Sequence, residues 1–342
     1  MPDFEAFKPI LASAAPKLFD LLDRFDRAKI LVIGDLTLDE FLTGQVERLS
    51  REAPVLILRH EYTRQIPGGG GNAIYNFAKL GAKVKAIGLT GHDAQGEALR
   101  RIFAEAGIDG DRIITDANRP TVTKTRIAGH ARQSVTQQIV RIDRKSDQLP
   151  DLEIQNQLAA AIRSQLDTVD AVVFSDYGEG VLTPTVIEAG LSHSRVIVDA
   201  QKALNRYPGA TLFTPNLPEA ENAVGYGINN QETLANAARD LLALTQAEEI
   251  LITRGEEGMT LCDRDLTLHH IPAFNRTDVF DVTGAGDTVV AALTLALCAG
   301  ASFWEASVLG NLAASIVVRQ FGTATTSVEE MKTALNNILE DT

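Results

Sequence analysis

Apolar and polar positions follow one another along this chain in a recurring rhythm. Lys29-Ile30-Leu31-Val32-Ile33-Gly34 is a short, almost unbroken apolar run that ends in glycine. A run of that length, closed by a turn residue, predicts a strand buried on both faces. Val84 to Leu89, Ala171 to Phe174, Arg195 to Val198, Thr211 to Phe213 and Glu249 to Ile252 repeat it. Between them lie segments with helical periodicity, among them Ile74 to Leu80, Gln95 to Ala106 and Leu152 to Leu166. Strands alternating with helices predict an α/β fold: a three-layer, doubly wound, mostly parallel sheet. Val55 to Glu61 and Thr121 to Asp143 interrupt the rhythm with partial alternation. They predict a small β lid outside the main sheet, built from residues 36–62 and 120–143. Phe7, Ile10, Leu11, Leu18, Leu21, Leu22 and Phe25 mark an N-terminal extension, residues 1–28, ahead of a main domain at 29–335. It reads as one or two amphipathic helices broken at Pro9 and Pro16.

The longest apolar run, Val289 to Cys298, follows Phe280-Asp281-Val282-Thr283-Gly284-Ala285-Gly286-Asp287-Thr288. A turn of small residues therefore opens a buried helix, with a carboxylate at the junction. The first N–H groups of a helix lack internal partners, and the helix dipole adds positive charge there. Gly284 and Gly286 let a ligand approach the backbone closely. The arrangement suits a phosphoryl group in transfer, with Asp287 placed to take a proton from an attacking hydroxyl. It also suits a plain aspartate N-cap on a core helix.

Polar residues gather where the strands end, the ligand face of an open α/β sheet. Asp35 and Asp39 follow the first strand, Ser175-Asp176-Tyr177-Gly178 the strand from Ala171, and Asp199 the one from Arg195. Asn216 and Glu219 follow Thr211 to Phe213, and Thr253-Arg254-Gly255 ends the strand from Glu249. Aspartates there either accept hydrogen bonds from sugar hydroxyls or cap turns. Pro67-Gly68-Gly69-Gly70-Gly71-Asn72 leads into a helix, which favours close ligand approach over a flexible linker. Asn311-Leu312-Ala313-Ala314 begins a further apolar helix that ends at Gly322-Thr323. Its small residues suit either a flat ring or tight helix packing.

Charge narrows the partners. A formal net charge of -13 on 342 residues argues against nucleic acid or an anionic membrane as the main partner. Two distant cysteines suggest neither a disulfide framework nor a metal site. The acidic start is not a signal peptide, and no apolar run is long enough to span a membrane. A reducing, cytoplasmic location is expected. The first strand is not followed by GxGxxG and no Walker A motif occurs, which disfavours a dehydrogenase. His269-His270, adjacent on a strand, point to opposite faces and are assigned no metal.

Taken together, these motifs resemble those of the ribokinase-like (PfkB) carbohydrate kinases. The resemblance rests on Gly68 to Asn72 and on Asp281-Val282-Thr283-Gly284-Ala285-Gly286-Asp287-Thr288, supported by Thr214 to Glu219 and Thr253-Arg254-Gly255. Within the family the chain is most similar to heptose-7-phosphate kinases of lipopolysaccharide-core biosynthesis, found alone or fused to an adenylyltransferase. Arg48-Leu49-Ser50-Arg51-Glu52-Ala53-Pro54-Val55, Arg141-Ile142-Asp143 and Phe174-Ser175-Asp176-Tyr177-Gly178 carry that likeness. No attached adenylyltransferase is expected. Thr37, Glu40, Gly70, Gly71 and Glu179 depart from the usual pattern on the expected substrate side.

The resemblance implies phosphoryl transfer from ATP with Mg2+ to the anomeric hydroxyl of a heptose 7-phosphate, giving the 1,7-bisphosphate. Asp287 is then the base, with the amides of Gly284, Ala285 and Gly286 stabilising the transferring group. Asp39, Gly69, Gly70 and Asn72 hold the sugar, with Asp35 and Asp176 as further candidates. Asn216 and Glu219 order Mg2+ and phosphates through water, Thr253, Arg254 and Gly255 line the nucleotide, and Asn311 lies near adenine. Asp281 matches a position for a monovalent cation such as K+. For the sugar's remote phosphate the candidates are Arg48, Arg51, Lys124, Arg126 and Arg141, which could equally form a solvated basic face. A homodimer through the lid is expected. A kinase for another sugar, or an inert sugar-binding protein on the same scaffold, stays open.

Overall fold

The computed structural model describes residues 4–131, 135–275, 279–320 and 322–340. Helix α1 (Phe4–Leu22) precedes strand β1 (Lys29–Gly34), the long strands β2 (Leu36–Leu49) and β3 (Leu56–Gly69), and α2 (Gly70–Lys79). β4 (Lys83–Ile87), β5 (Leu89–Gly91), α3 (Ala94–Glu105), β6 (Ile114–Asp116), β7 (Val122–His130) and β8 (Gln137–Arg144) follow. Next come α4 (Leu152–Arg163), β9 (Ala171–Asp176), α5 (Pro184–Leu191), β10 (Val196–Ala200), β11 (Leu212–Phe213), α6 (Leu217–Val224) and α7 (Gln231–Thr245). β12 (Glu249–Thr253), β13 (Met259–Asp263), β14 (Leu268–Ile271), α8 (Ala285–Cys298), α9 (Phe303–Val317) and α10 (Val328–Glu340) complete the chain.

Among the described residues eight strands form the main sheet, in the order β14-β13-β12-β11-β10-β9-β1-β4. It is parallel from β12 to β4, and β13 and β14 close one edge antiparallel. Strand alternation splits the core between two faces. Ile30 and Val32 join the layer of α1, α2, α8 and α9, whereas Leu31 and Ile33 join that of α4, α5 and α7. Both faces must be apolar, which is why β1 reads as a continuous run. From β1 the chain passes first to β4 on one side and later to β9 on the other. The crevice beyond the carboxyl ends of β1 and β9 is therefore a topological switch point, where such sheets bind ligands.

A second sheet, β3-β2-β7-β8, stands outside the first. β2 pairs antiparallel with β3 and parallel with β7, and β8 forms the outer edge with every residue exposed.

Several sequence expectations are corrected. Pro9 and Pro16 do not break α1, because both rings lie on its exposed face, where carbonyls left without a helical donor can meet water. Phe7, Leu11, Leu18, Leu21 and Leu22 instead bury the opposite stripe in the main core. The strand expected from Val84 to Leu89 stops at Ile87. A side chain at Gly88 would lie 2.6 Å from the Leu36 side chain, so the turn packs on the joint between β1 and β2. Asn311 lies within α9 rather than at its start, since Ser302 and Glu305 form a capping box that begins the helix earlier.

Pro16→Ala restores a helical N–H without removing a core contact. It is expected to stabilise the protein by about 1–2 kcal/mol, read as a higher urea midpoint.

Candidate active site

The buried carboxylate of Asp287 is the centre of the crevice. Gly284, in the left-handed region at φ 78°, is the N-cap of α8, and a side chain there would lie 2.7 Å from Asn72 Nδ2. Asp287 is thus inside the first turn and does not cap the helix. Its side chain turns inward, where Asn72 Nδ2 donates to Oδ2 at 2.7 Å. The Tyr177 hydroxyl donates to both oxygens, at 3.1 and 3.2 Å. Asn76 in turn donates to the Asn72 backbone carbonyl at 3.0 Å and accepts from the Thr288 hydroxyl at 2.9 Å, locking α2 to α8. Burial pushes Asp287 up to about 7, and the Asn72 and Tyr177 hydrogen bonds oppose that rise. A carboxyl poised near neutrality is suited to accept a proton from a hydroxyl.

Gly286 at the helix start is exposed, with no atom within 4 Å of a side chain placed there. The Ala285 N–H is donated to the Val282 carbonyl at 3.2 Å, so the turn itself uses one of the three expected donors.

Asp35 and Asp176 are brought to the crevice, and both carboxylates are occupied by donors of the protein itself. Asp35, 1% exposed, accepts backbone N–H groups from Tyr177 at 2.9 Å, Glu179 at 3.0 Å and Val181 at 3.0 Å. Burial raises its carboxyl to about 6 despite these bonds. Asp176 accepts from Gly178 N–H at 2.9 Å, from Arg206 at 3.0 Å and from the Tyr207 hydroxyl. Both carboxylates fasten the loop that presents Tyr177. The glycine run behaves likewise. Gly68 and Gly69 end β3, and Gly70 begins α2. Side chains at these positions would strike Asp39 at 2.5 Å, Thr37 at 2.9 Å and Asp35 N at 3.0 Å, respectively. The close approach is taken up by the protein itself.

Asn216, Glu219, Thr253, Arg254 and Gly255, expected to hold the nucleotide, lie at the ends of β11 and β12. Asn216 and Glu219 form a capping box on α6, and Thr253 N–H reaches the Pro215 carbonyl at 2.9 Å. Arg254 pairs with Glu257, and Gly255 stands open at φ 58°. Asn311 donates to the Pro272 carbonyl at 2.7 Å. Asp281 accepts N–H groups from Thr283 and Gly322, both at 2.9 Å, and these outweigh burial to hold its carboxyl below the usual range. Asp199 lies among these groups and is raised well above the usual carboxylate range by burial, then by Asp287 and Glu219. Among the described residues no three such side chains close round a common metal position. A divalent ion here would be held largely by water and phosphates.

Under the lid, a cleft of about 660 Å³ runs from Asp39, Phe41, Arg64 and Arg126 to Asp281 and Thr283. Arg126 pairs with Asp39 at 2.7 Å. Lys124 lies 5.9 Å from the centre of the Tyr177 ring. Arg141 is tied to Asp143 on its own strand at 2.7 and 2.8 Å, and neither it, Arg48 nor Arg51 lines the cleft.

The family described as pfkB family carbohydrate kinase matches residues 27–331. The chain belongs to that family. It is 42% identical over 322 residues to Bifunctional protein HldE of Pelobacter propionicus, covering 92% of this chain and 64% of that protein. The corresponding protein of Geobacter metallireducens is 42% identical over 307 residues, covering 88% of this chain and 61% of its own length. The chain thus spans less than two thirds of these curated relatives. Arabidopsis thaliana ribokinase complexed with ribose and ATP superposes with a TM-score of 0.68 at 19% identity, covering 92% of this chain and 99% of that one. Escherichia coli phosphofructokinase-2 in complex with potassium gives 0.71 at 20% identity, covering 91% and 99%. Both share the ribokinase-like fold.

Sequence reasoning had Tyr177 and Asp199 on the ligand face but gave neither a role, and it passed over Arg64. For Tyr177 the usable signal was a hydroxyl just past a strand end, whereas Arg64 is placed opposite Phe41 only by the strand register.

Asp35→Ala leaves three N–H groups of the Tyr177–Val181 loop without an acceptor. It is expected to cost about 3 kcal/mol or more of stability, measured by urea unfolding. A change below about 1 kcal/mol would deny the clamp.

Proposed function

We propose that the chain transfers the γ-phosphoryl group of ATP to the anomeric hydroxyl of D-glycero-D-manno-heptose 7-phosphate, yielding the 1,7-bisphosphate. The observation that carries this reading is Asp287, buried and held by Asn72 and Tyr177 one residue after the open amide of Gly286. The sugar is suggested by the Arg48 to Val55 string and its resemblance to heptose-7-phosphate kinases. The product would serve lipopolysaccharide-core precursor synthesis in the cytoplasm. Among the described residues no helix is long and apolar enough to cross a membrane.

In this mechanism the attacking hydroxyl gives its proton to Asp287. Asn72 keeps the carboxylate aimed, and the amides of Gly284 and Gly286 meet charge on the transferring group. Asp39 faces the sugar from the lid, steadied by Arg126. Mg2+, bound with ATP, would neutralise phosphate charge. Asn216 and Glu219 would order its water, with Asp199 beside them, while Thr253 and Gly255 line the nucleotide. Asp281 would shape a K+ site by anchoring the Gly322 segment.

Asp287→Asn is expected to lower kcat by ~10²-fold or more, with little change in KM for the sugar. ATP turnover over a panel of heptose 7-phosphate, sedoheptulose 7-phosphate, fructose 6-phosphate, fructose and ribose tests the substrate. Turnover with another sugar alone would discard the heptose reading.

The base must be ionised, so kcat/KM should fall as pH drops through about 7. The Tyr177 hydrogen bond favours the charged form, and removing it raises the Asp287 pKa. Tyr177→Phe should therefore move the acid limb to higher pH, with activity recovering in alkali. An unshifted limb would show that the hydroxyl does not act on the base.

The exposed edge strand β8 carries Ile139, Val140 and Ile142, all more than 40% exposed. Such an edge favours pairing, and we assign it to a homodimer through the lid. Light scattering should give twice the chain mass, and Ile142→Asp should shift it toward monomer.

A further inference from the structure

Three side chains stand in a row across the cleft-facing side of the lid. Phe41 on β2 is paired directly with Arg64 on β3 and with Arg126 on β7. Directly opposed residues in adjacent strands share one face. The guanidinium carbons of Arg64 and Arg126 lie 5.1 and 5.2 Å from the Phe41 ring centre. One aromatic ring thus holds two cations by its face.

The two arginines are not equivalent. Arg126 is paired with Asp39 at 2.7 Å. Arg64 forms no ion pair among the described residues, and across the cleft its Nη2 lies 3.6 Å from the position of a side chain added at Gly322. The charged residues lining the cleft are Asp39, Arg64, Arg126 and Asp281. Asp39 and Arg126 offset each other, and Asp281 is occupied by backbone N–H groups. Asp281 keeps its carboxylate charge in the same cleft, and the exposed Arg64 is left without an ion-pair partner among the described residues. A guanidinium without an ion-pair partner is open to an anion, and its planar fork matches phosphate oxygens. The cleft's volume, about 660 Å³, is in the range of small-ligand sites.

We propose that Arg64, with Arg126, grips the remote phosphate of a phosphorylated sugar, Phe41 being the platform that sets their spacing. The proposal rests on the sugar-kinase reading above and adds to it the residue that selects a phosphorylated over an unphosphorylated substrate. The same chemistry could instead serve the phosphates of ATP, and the two sources separate by experiment.

The test is steady-state kinetics of wild type, Arg64→Ala and Arg64→Lys, with heptose 7-phosphate and ATP varied in turn. Arg64→Ala should raise KM for the sugar phosphate about tenfold or more and leave KM for ATP within about twofold. Arg64→Lys should recover part of the loss, since it keeps the charge without the fork. Calorimetric titration of inorganic phosphate should show binding to wild type and loss of it in Arg64→Ala. A raised KM for ATP with an unchanged sugar KM would move the site to the nucleotide and overturn the proposal. Unchanged sugar kinetics would overturn it while leaving the kinase reading intact. If wild type phosphorylates no sugar of the panel, the kinase reading fails, and phosphate binding equal in wild type and Arg64→Ala would then overturn the anion site as well.

Discussion

A carboxylate withdrawn from water needs donors, and Asp287 draws them from elements distant in the chain. Asn72 comes from the start of α2 and Tyr177 from the loop after β9. Their positions are themselves held. Asn72 is supported through Asn76, whose side chain also accepts from Thr288 on α8. Tyr177 stands on a loop whose amides are gathered by Asp35 at the end of β1. The site therefore exists only when β1, β9, α2 and α8 are assembled together. Burial drives the Asp287 carboxyl toward neutrality and the two donors pull it back, which leaves it titrating near 7.

The same economy of space explains the glycines. Gly68, Gly69 and Gly70 lie where β3 turns into α2 against the joint of β1 and β2, and side chains there would collide with Asp39, Thr37 and Asp35. Gly284 makes room for Asn72 in the same way. Gly286, by contrast, has open space where a side chain would stand. Small residues at this crevice mostly let protein approach protein, so that polar groups around Asp287 can close to hydrogen-bonding distance.

Much of this was legible in the sequence because the signals are local. Apolar runs marked the buried strands, since β1 and β9 are covered on both faces. The Gly284 to Asp287 turn stood out because a helix start has its own chemistry. What escaped reading depended on direction. Asp35 and Asp176 follow strand ends, as ligand-binding acids do, yet both bend back onto the loop after β9. Pro9 and Pro16 looked like breaks because proline is costly inside a helix, whereas their exposed positions spare the core. The Arg64–Phe41–Arg126 row needs strand register, which alternation alone does not supply.

Charge is sorted across the crevice. Beyond the strand ends, Asp199, Glu219 and Asp287 all sit in surroundings that raise their carboxyls, and burial is the leading cause for each. An anion could not enter there unaccompanied, because like charge and poor solvation would both oppose it. A divalent cation arriving with its phosphates reverses that balance. Across the cleft the lid presents arginines, one of them matched by Asp39 and one unmatched. On the proposed reading, a phosphate without a metal would be favoured under the lid and a phosphate with one at the strand ends. This difference would direct two anionic ligands of similar chemistry to separate parts of the crevice, one toward the acids around Asp287 and one toward the lid arginines.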